Sequence, residues 1–596
     1  MDESLNQAEA ANAGVFVFEP RRALVEARAW SRSHAAELLC AALLAVMSLQ
    51  MLAVIRRKSI TVDEIVLIPA AYYHLAAGNC QLVYEHPPLI KILAGLPLLF
   101  VQPNEAHPEK FGLAPDSAQG KWRYEESFWE ENGTLFESLS FWARVPMIAL
   151  AVATGWLVFA FARELFGARA AVLAVALYSI EPTVLAHGRV VQTDIAASFG
   201  YLLFFYALYA YVRAPAARRA LLVGTAGGVA CVAKFSMLIV APIVAVVLVA
   251  LWWRAPRRNR SRKAVAAHAC LVALAALLTI NAAYLFDRRP PGAEDAAWLN
   301  QSFPTADGSI VRAVDALSYV LPTDFVMGVF WQIRHNQVGH NAGLLGAYSR
   351  TGWWYYFPVA FALKTTLPFL LLSLASLAWG AYRFFKERDT RFLFLLAPVV
   401  VYSGFVLMSR IDIGVRYLLP AYMFLFIAGG ALLERLWASR RAGAVVAVAL
   451  VAWMCFEAAR AYPDHMSYMN QLASRAPHWW YLSDSNVEWG DDVPALAAYL
   501  RARGERDVRA MFLGGFLTLH HYGVGYLDAL APALGPPTRY TAIGASFLNG
   551  STVPEHERDG RPLTDEERVN TFDEYRRRTP EKIFGGSIYL FREDGR

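Results

Sequence analysis

Apolar positions along this chain fall into runs long enough to cross a bilayer, which as a helix takes roughly 20 residues. The runs predict eleven spans. They are Leu38–Val54, Phe141–Phe161, Ala170–Leu185, Ile195–Val212, two within Leu221–Trp253 divided near Lys234, Ala264–Phe286, Trp353–Tyr382, Phe392–Met408, Tyr417–Trp437 and Ala444–Ala459. Arg21, Arg22, Arg28 and Arg32 precede the first run and place the N-terminal segment, residues 1–34, in the cytoplasm. Basic clusters return at Arg163 and Arg169, Arg213 to Arg219, Arg254 to Lys263, Arg383 to Arg391 and Arg435 to Arg441. Eleven spans put each of these on the cytoplasmic side. The loops at 59–140, 187–194, 287–352 and 409–416 and the turn at Lys234 then lie opposite.

This pattern predicts an α-helical polytopic membrane protein with a transmembrane domain over 35–460 and, beyond it, a change of texture. Over 461–596 the apolar runs shorten and charges, Gly and Pro rise. Helix-like Val493–Arg503, then strand-like Val508–Leu513 and Ser587–Phe591, predict a small extracytoplasmic α/β domain there.

The stretch Ser59–Phe100 follows the first span and carries two acidic sites, Asp63-Glu64 and Glu85-His86-Pro87-Pro88. Carboxylates beside a membrane are costly to desolvate and point to function. The paired prolines fix φ and block helix continuation, which holds Glu85 and His86 in a turn. Leu89–Phe100 is too short to span and suits an interfacial helix. The loop 59–140 therefore reads as a catalytic loop on the membrane surface, and 287–352 as a second long extracytoplasmic loop.

Composition narrows the classes. Of 596 residues 56% are hydrophobic and only 18% charged, which excludes a string of soluble domains. The net charge of +6 sits in short loops and reads as a topology signal, not as nucleic-acid binding. Cys40, Cys231, Cys270 and Cys455 fall within apolar runs and Cys80 in a loop, with neither disulfide nor metal spacing.

Transfer of a sugar from a lipid-linked phosphate needs a base for the acceptor hydroxyl and cations for the leaving phosphate. Asp63 is the favoured base, with Glu64, Glu85 or Asp194 orienting it or sharing the role. Lys234, Arg189 and Arg416 are the candidate phosphate ligands. His86, His187 and His340 are candidates to hydrogen-bond sugar or acceptor. Blander readings stand beside these. Asp63-Glu64 also suits a solvated loop pair and Asp194 the N-cap of the fourth span. Lys234 and Arg416 also suit side chains that snorkel to the interface. No cofactor is expected. A divalent metal is possible but not expected, because Lys and Arg suffice to neutralise a monophosphate.

VDE at Val62–Glu64, EHPPLIKIL at Glu85–Leu93, EPTVLAHGRVVQTD at Glu181–Asp194 and VAKFSMLIVAP at Val232–Pro242 carry a resemblance. So do GWWYYFPVAFALKTTLP at Gly352–Pro368, IGVRYLLPAYMFLF at Ile413–Phe426 and LSDSNVEWGDD at Leu482–Asp492. Together they resemble the polyprenyl-phosphate-dependent glycosyltransferases of the GT-C superfamily, in the group of protein O-mannosyltransferases and lipid A aminoarabinose transferases. The chain departs from that pattern at Ala347, where an acidic residue is expected, and at Glu488, where aspartate is. The resemblance implies inverting transfer of a sugar from a polyprenyl-phosphate donor, with Asp63 as base, in the bacterial inner membrane with the site facing outward. Its partners would be the lipid-linked donor, membrane lipids, and an acceptor that is a protein, a lipid or a glycan. A transporter or flippase of lipid-linked glycans is the competing class. It would show repeats and broken midplane helices, whereas here the acidic motifs sit in loops.

Overall fold

The structure, a computed structural model, describes residues 34–107, 120–254, 260–304, 308–531, 535–557 and 560–593. The expected cytoplasmic segment lies outside these residues except for His34, as do residues 255–259 of the most basic loop. Among the described residues, nine helices are long and apolar enough to cross a membrane. They are Ala35–Ile55, Gly133–Phe166, Thr193–Arg213, Phe235–Arg254, Arg262–Ala283, Leu367–Glu387, Thr390–Leu407, Val415–Ser439 and Arg441–Ala461.

These correspond to nine of the eleven expected runs. The other two are shorter helices, Ala168–Ile180 of 13 residues and Ala217–Ala233 of 17. The first stops at Glu181 and resumes as Pro182–His187, with proline in its first turn, where its missing N–H costs nothing. The expected single span Trp353–Tyr382 is likewise two helices, Tyr356–Lys364 and Leu367–Glu387, with Pro368 opening the second. The two breaks are fastened to each other: the buried Glu181 carboxylate accepts from Thr366 N (3.1 Å) and Thr366 Oγ1 (2.8 Å).

Val415–Ser439 is the axis of the bundle, 89% enclosed over its apolar window against 17–33% for the outermost spans. Ala168–Ile180, Thr193–Arg213, Leu367–Glu387, Leu393–Leu407 and Arg441–Ala461 pack round it. After the first span come Val62–Ala76, Pro88–Val101 and Gly120–Glu131. The first two of these cross closely at Gly95, where a Cβ would fall 2.3 Å from Ala71 O. Pro88–Val101, 14 residues long, is the short helix expected after the double proline.

A hairpin of β1 (Ala342–Leu344) and β2 (Ala347–Ser349) closes the second long loop. Beyond residue 500 lies a five-stranded sheet of β3 (Asp507–Met511), β4 (Gly525–Asp528), β5 (Tyr540–Gly544), β6 (Lys582–Phe584) and β7 (Ile588–Arg592). Its order is β4-β3-β5-β7-β6, parallel across β4-β3-β5 and antiparallel across β5-β7-β6. Helix Val493–Arg501 buries Val493, Leu496, Ala497 and Leu500 against Val508, Ala510 and Leu590 of the sheet. The two expected strands correspond to β3 and β7.

Candidate active site

Thr61-Val62-Asp63-Glu64 opens helix Val62–Ala76 through a capping box: Glu64 N donates to Thr61 Oγ1, and Thr61 N donates to the Glu64 carboxylate. The box turns the two adjacent carboxylates in different directions. Glu64 faces inward, fully buried. It accepts from Arg144 Nε (2.7 Å), from Arg144 Nη2, and from Val191 N (2.8 Å). Arg144 is buried too and also donates to Ser59 O and Lys58 O. Glu64 thus ties the first loop to the HGRVVQTD loop and stands away from the cavity below, a place that fits orienting the Asp63 turn and not sharing its role as base.

Asp63 faces outward, with 28% of its side chain exposed. Its Oδ2 accepts from Gln192 Nε2 (2.5 Å) and Arg416 Nη1 (3.1 Å). The same Arg416 nitrogen lies 3.7 Å from Asp194 Oδ2, and Asp194 Oδ1 accepts from Lys234 Nζ (2.6 Å). Charges therefore alternate along Asp63, Arg416, Asp194 and Lys234. Each cation also meets an aromatic face: Arg416 lies 4.3 Å from the Trp489 centroid and Lys234 4.0 Å from that of Tyr417. The chain places Lys234 in extended backbone between helix Ala217–Ala233 and the next turn, at the break expected in the long apolar run. The N-cap of Thr193–Arg213 is Gln192, which accepts from Thr193 N, so Asp194 lies inside the first turn and is not the cap.

These groups surround a cavity of about 160 Å³, whose walls include Asp63, Glu85, His86, Gln192, Lys234, His335, Arg416 and Tyr417. That is small beside the roughly 300–1,000 Å³ of most small-molecule pockets, and suits a polar head whose tail lies outside. The EHPP turn forms one wall. Buried Lys91 Nζ donates to Leu82 O (3.2 Å) and Val83 O (3.1 Å), and His86 N donates to Val83 O, with Val83 at φ 59°. Gln332 Nε2 bonds Glu85 O from the second long loop. Burial lowers the pKa of His86, aided by Lys91 and Lys234 and opposed by Glu85 and Asp63. Burial, with His340 and His86 beside it, also brings His335 down to about 4.

The remaining candidates lie elsewhere. Arg189, expected to hold phosphate, is wholly buried and donates to Asp491 Oδ2 (2.9 Å). His187 is buried edge-on to Trp489, whose ring also meets the Arg416 guanidinium, and does not line the cavity. His340 is a layer back, its Nδ1 3.2 Å from His335 Nε2. Asp194 is 1% exposed and reaches the cavity only through Lys234 and Arg416.

Gln192, Tyr417 and Trp489 stand inside the motifs at Glu181–Asp194, Ile413–Phe426 and Leu482–Asp492 without being candidates there, and His335 lies outside every motif. The role of the segment around Trp489 escaped the sequence reading. Trp489 O accepts from Val62 N (2.9 Å) and Asp491 O from Ser59 N (2.9 Å). Asn486 Oδ1 accepts from Val415 N (2.9 Å), and Ser485 Oγ donates to Ile413 O (2.6 Å). One short segment thus braces both the Asp63 turn and the Arg416 turn. Lys58 completes the brace between Asp492 and Asp464. Burial opposes its charge, but Asp492, Asp491 and Asp464 outweigh that and raise its pKa.

Residues 133–281 match the family model described as dolichyl-phosphate-mannose-protein mannosyltransferase. No curated protein matches the chain in sequence. Solved structures similar to it include the Archaeoglobus fulgidus oligosaccharyltransferase in complex with Zn and sulfate, at 12% identity and TM-score 0.46, over 84% of this chain and 68% of that one. Another is ArnT from Cupriavidus metallidurans bound to undecaprenyl phosphate, at 14% identity and TM-score 0.44, over 85% and 92%. A third is the Saccharomyces cerevisiae protein O-mannosyltransferase Pmt1–Pmt2 complex bound to the sugar donor, at 18% identity and TM-score 0.31, over 42% and 33%. The chain is thus multi-pass and helical, and the part of it over residues 133–281 is similar to the dolichyl-phosphate-mannose-protein mannosyltransferase family.

Proposed function

We propose that the protein moves a sugar from a polyprenyl-phosphate donor to an acceptor hydroxyl in a single inverting displacement, with Asp63 as general base. The observation that carries this reading is the meeting, in one cavity, of a partly exposed carboxylate with two cations, Arg416 and Lys234. Arg416 is shared between Asp63 and Asp194. A phosphate entering the cavity competes for Arg416 and Lys234, which frees Asp63 to face the acceptor. The acceptor oxygen attacks the anomeric carbon as its proton passes to Asp63. The bond from that carbon to the phosphate oxygen breaks, and the lipid phosphate leaves with its growing charge held by the two cations. Asp194 holds Lys234 in place, and His86 and Gln192 stand where sugar hydroxyls would be read. The cavity lies on the extracytoplasmic side in this reading, in a bacterial inner membrane.

The test is transfer, or donor hydrolysis, by purified protein in detergent with polyprenyl-phosphate sugars. Transport has no meaning in detergent, so turnover there separates the enzyme from a flippase. Product formation that survives Asp63→Asn would remove Asp63 from the chemistry. Mass spectrometry of envelope glycans in a deletion strain identifies the sugar and the acceptor.

A further inference from the structure

A second polar cavity of about 270 Å³ opens at the other end of the bundle, with Trp379, Arg383, Arg391, Phe392, Glu434 and Arg435 in its walls. It is remote from the Asp63 cavity. Arg144, which anchors Glu64, lies near the start of helix Phe136–Phe166, and Phe166, at its end, lines this second cavity. At about 1.5 Å per residue the two are about 33 Å apart. An apolar groove of about 400 Å³ adjoins it through Glu434, lined by Leu39, Val172, Leu173 and Trp437.

The cations here are unequally satisfied. Arg383 is paired with Asp389 and Glu387, and Arg391 with Asp389. Arg435 is exposed and, among the described residues, has no carboxylate in ion-pair reach; its guanidinium lies over the Trp379 ring at 5.4 Å. Beneath it, Trp379 Nε1 and Arg383 Nε are buried donors with no acceptor. Buried donors of this kind are rare and want a partner. An anion drawn in by Arg435 supplies one once the guanidinium turns from the indole onto it. An apolar groove running from the mouth of an anion hole, at a helix end of a membrane protein, fits one class of ligand.

We infer that this end of the bundle holds an anionic phospholipid, its phosphate among Trp379, Arg383, Arg391 and Arg435 and an acyl chain in the groove of Leu39, Val172 and Leu173. The site is independent of the proposed transfer reaction. Its lipid staples Leu367–Glu387 and the end of Val415–Ser439 together, and Val415–Ser439 begins at the Arg416 turn.

The test uses delipidated full-length protein in a neutral detergent, titrated with short-chain phosphatidylglycerol, phosphatidylcholine or inorganic phosphate. Binding is read by native mass spectrometry and by thermal unfolding. Phosphatidylglycerol should bind and raise the unfolding temperature, and phosphatidylcholine should bind more weakly. Arg435→Gln and Trp379→Phe, which remove one cation and one N–H, should each weaken phosphatidylglycerol binding by about tenfold, the scale of a lost charge-assisted bond. Neither variant should change the unfolding temperature of the lipid-free protein by much. Equal binding of the two lipids, undiminished binding by both variants, or an equal response to inorganic phosphate alone would each overturn the assignment.

Discussion

Arg416 Nη1 lies 3.1 Å from Asp63 Oδ2, an ion pair between residues 353 positions apart in the chain. It closes the turn after the first span onto the turn before the tenth expected span. It also leaves the proposed base bound to a cation that the donor phosphate needs.

Asp63→Asn keeps the shape of this contact and removes the basicity. Turnover at saturating donor should fall by about 10²–10⁴-fold, the usual scale for a lost general base. The donor dissociation constant should change little. Near-normal turnover, with a loss in Glu85→Gln or Asp194→Asn instead, would move the base to that carboxylate.

Lys234→Ala and Arg416→Ala should weaken donor binding, each by about 1.5–3 kcal/mol, the range for hydrogen bonds to a charged group. Binding of a non-transferable donor analogue is the measurement. Unchanged affinity in both variants would place the phosphate elsewhere. Arg189→Ala should not alter donor affinity directly, since Arg189 faces Asp491.

Glu64 should behave as a structural residue. Breaking its buried pair with Arg144 by Arg144→Met leaves an uncompensated carboxylate, at a cost of about 3–5 kcal/mol. The unfolding temperature in detergent should drop markedly. Glu64→Gln keeps the acceptor for Val191 N and should destabilise less. Full thermal stability in Glu64→Gln, combined with complete loss of turnover, would restore Glu64 to the chemistry.

A reporter active only in the cytoplasm, fused after Arg596, should be silent if eleven crossings follow a cytoplasmic N-terminus. Signal from that fusion would reverse the proposed side of the Asp63 cavity and of the sheet.

The apolar runs made most of the helices legible, and charges at their ends marked Asp63, Asp194, Lys234 and Arg416 as residues to watch. What the runs hide is direction. Glu64 adjoins Asp63 in sequence yet points the opposite way, and only the Thr-x-x-Glu signature of the capping box foretells it. Arg189 shares a motif with Asp194, but its partner Asp491 lies 302 residues on, a pairing that no local pattern encodes. The strands β4, β5 and β6, of three to five residues each, are too short to show a period. The break at Thr365–Thr366 was obscured because apolar residues continue on both sides of it.

The brace built from Asp491 and Asp492 bears on how the protein is made. Lys58 is synthesised 434 residues before Asp492, and Arg189 302 residues before Asp491. Both cations end up buried, so during translation they wait without these counter-charges while the spans between them insert. The turn that carries Asp63 acquires its backbone partners at Trp489 and Asp491 only then. Synthesis order thus makes the segment after the last span the final support of the Asp63 cavity to arrive, and a chain that stops before it is a bundle with a cavity not yet held in shape.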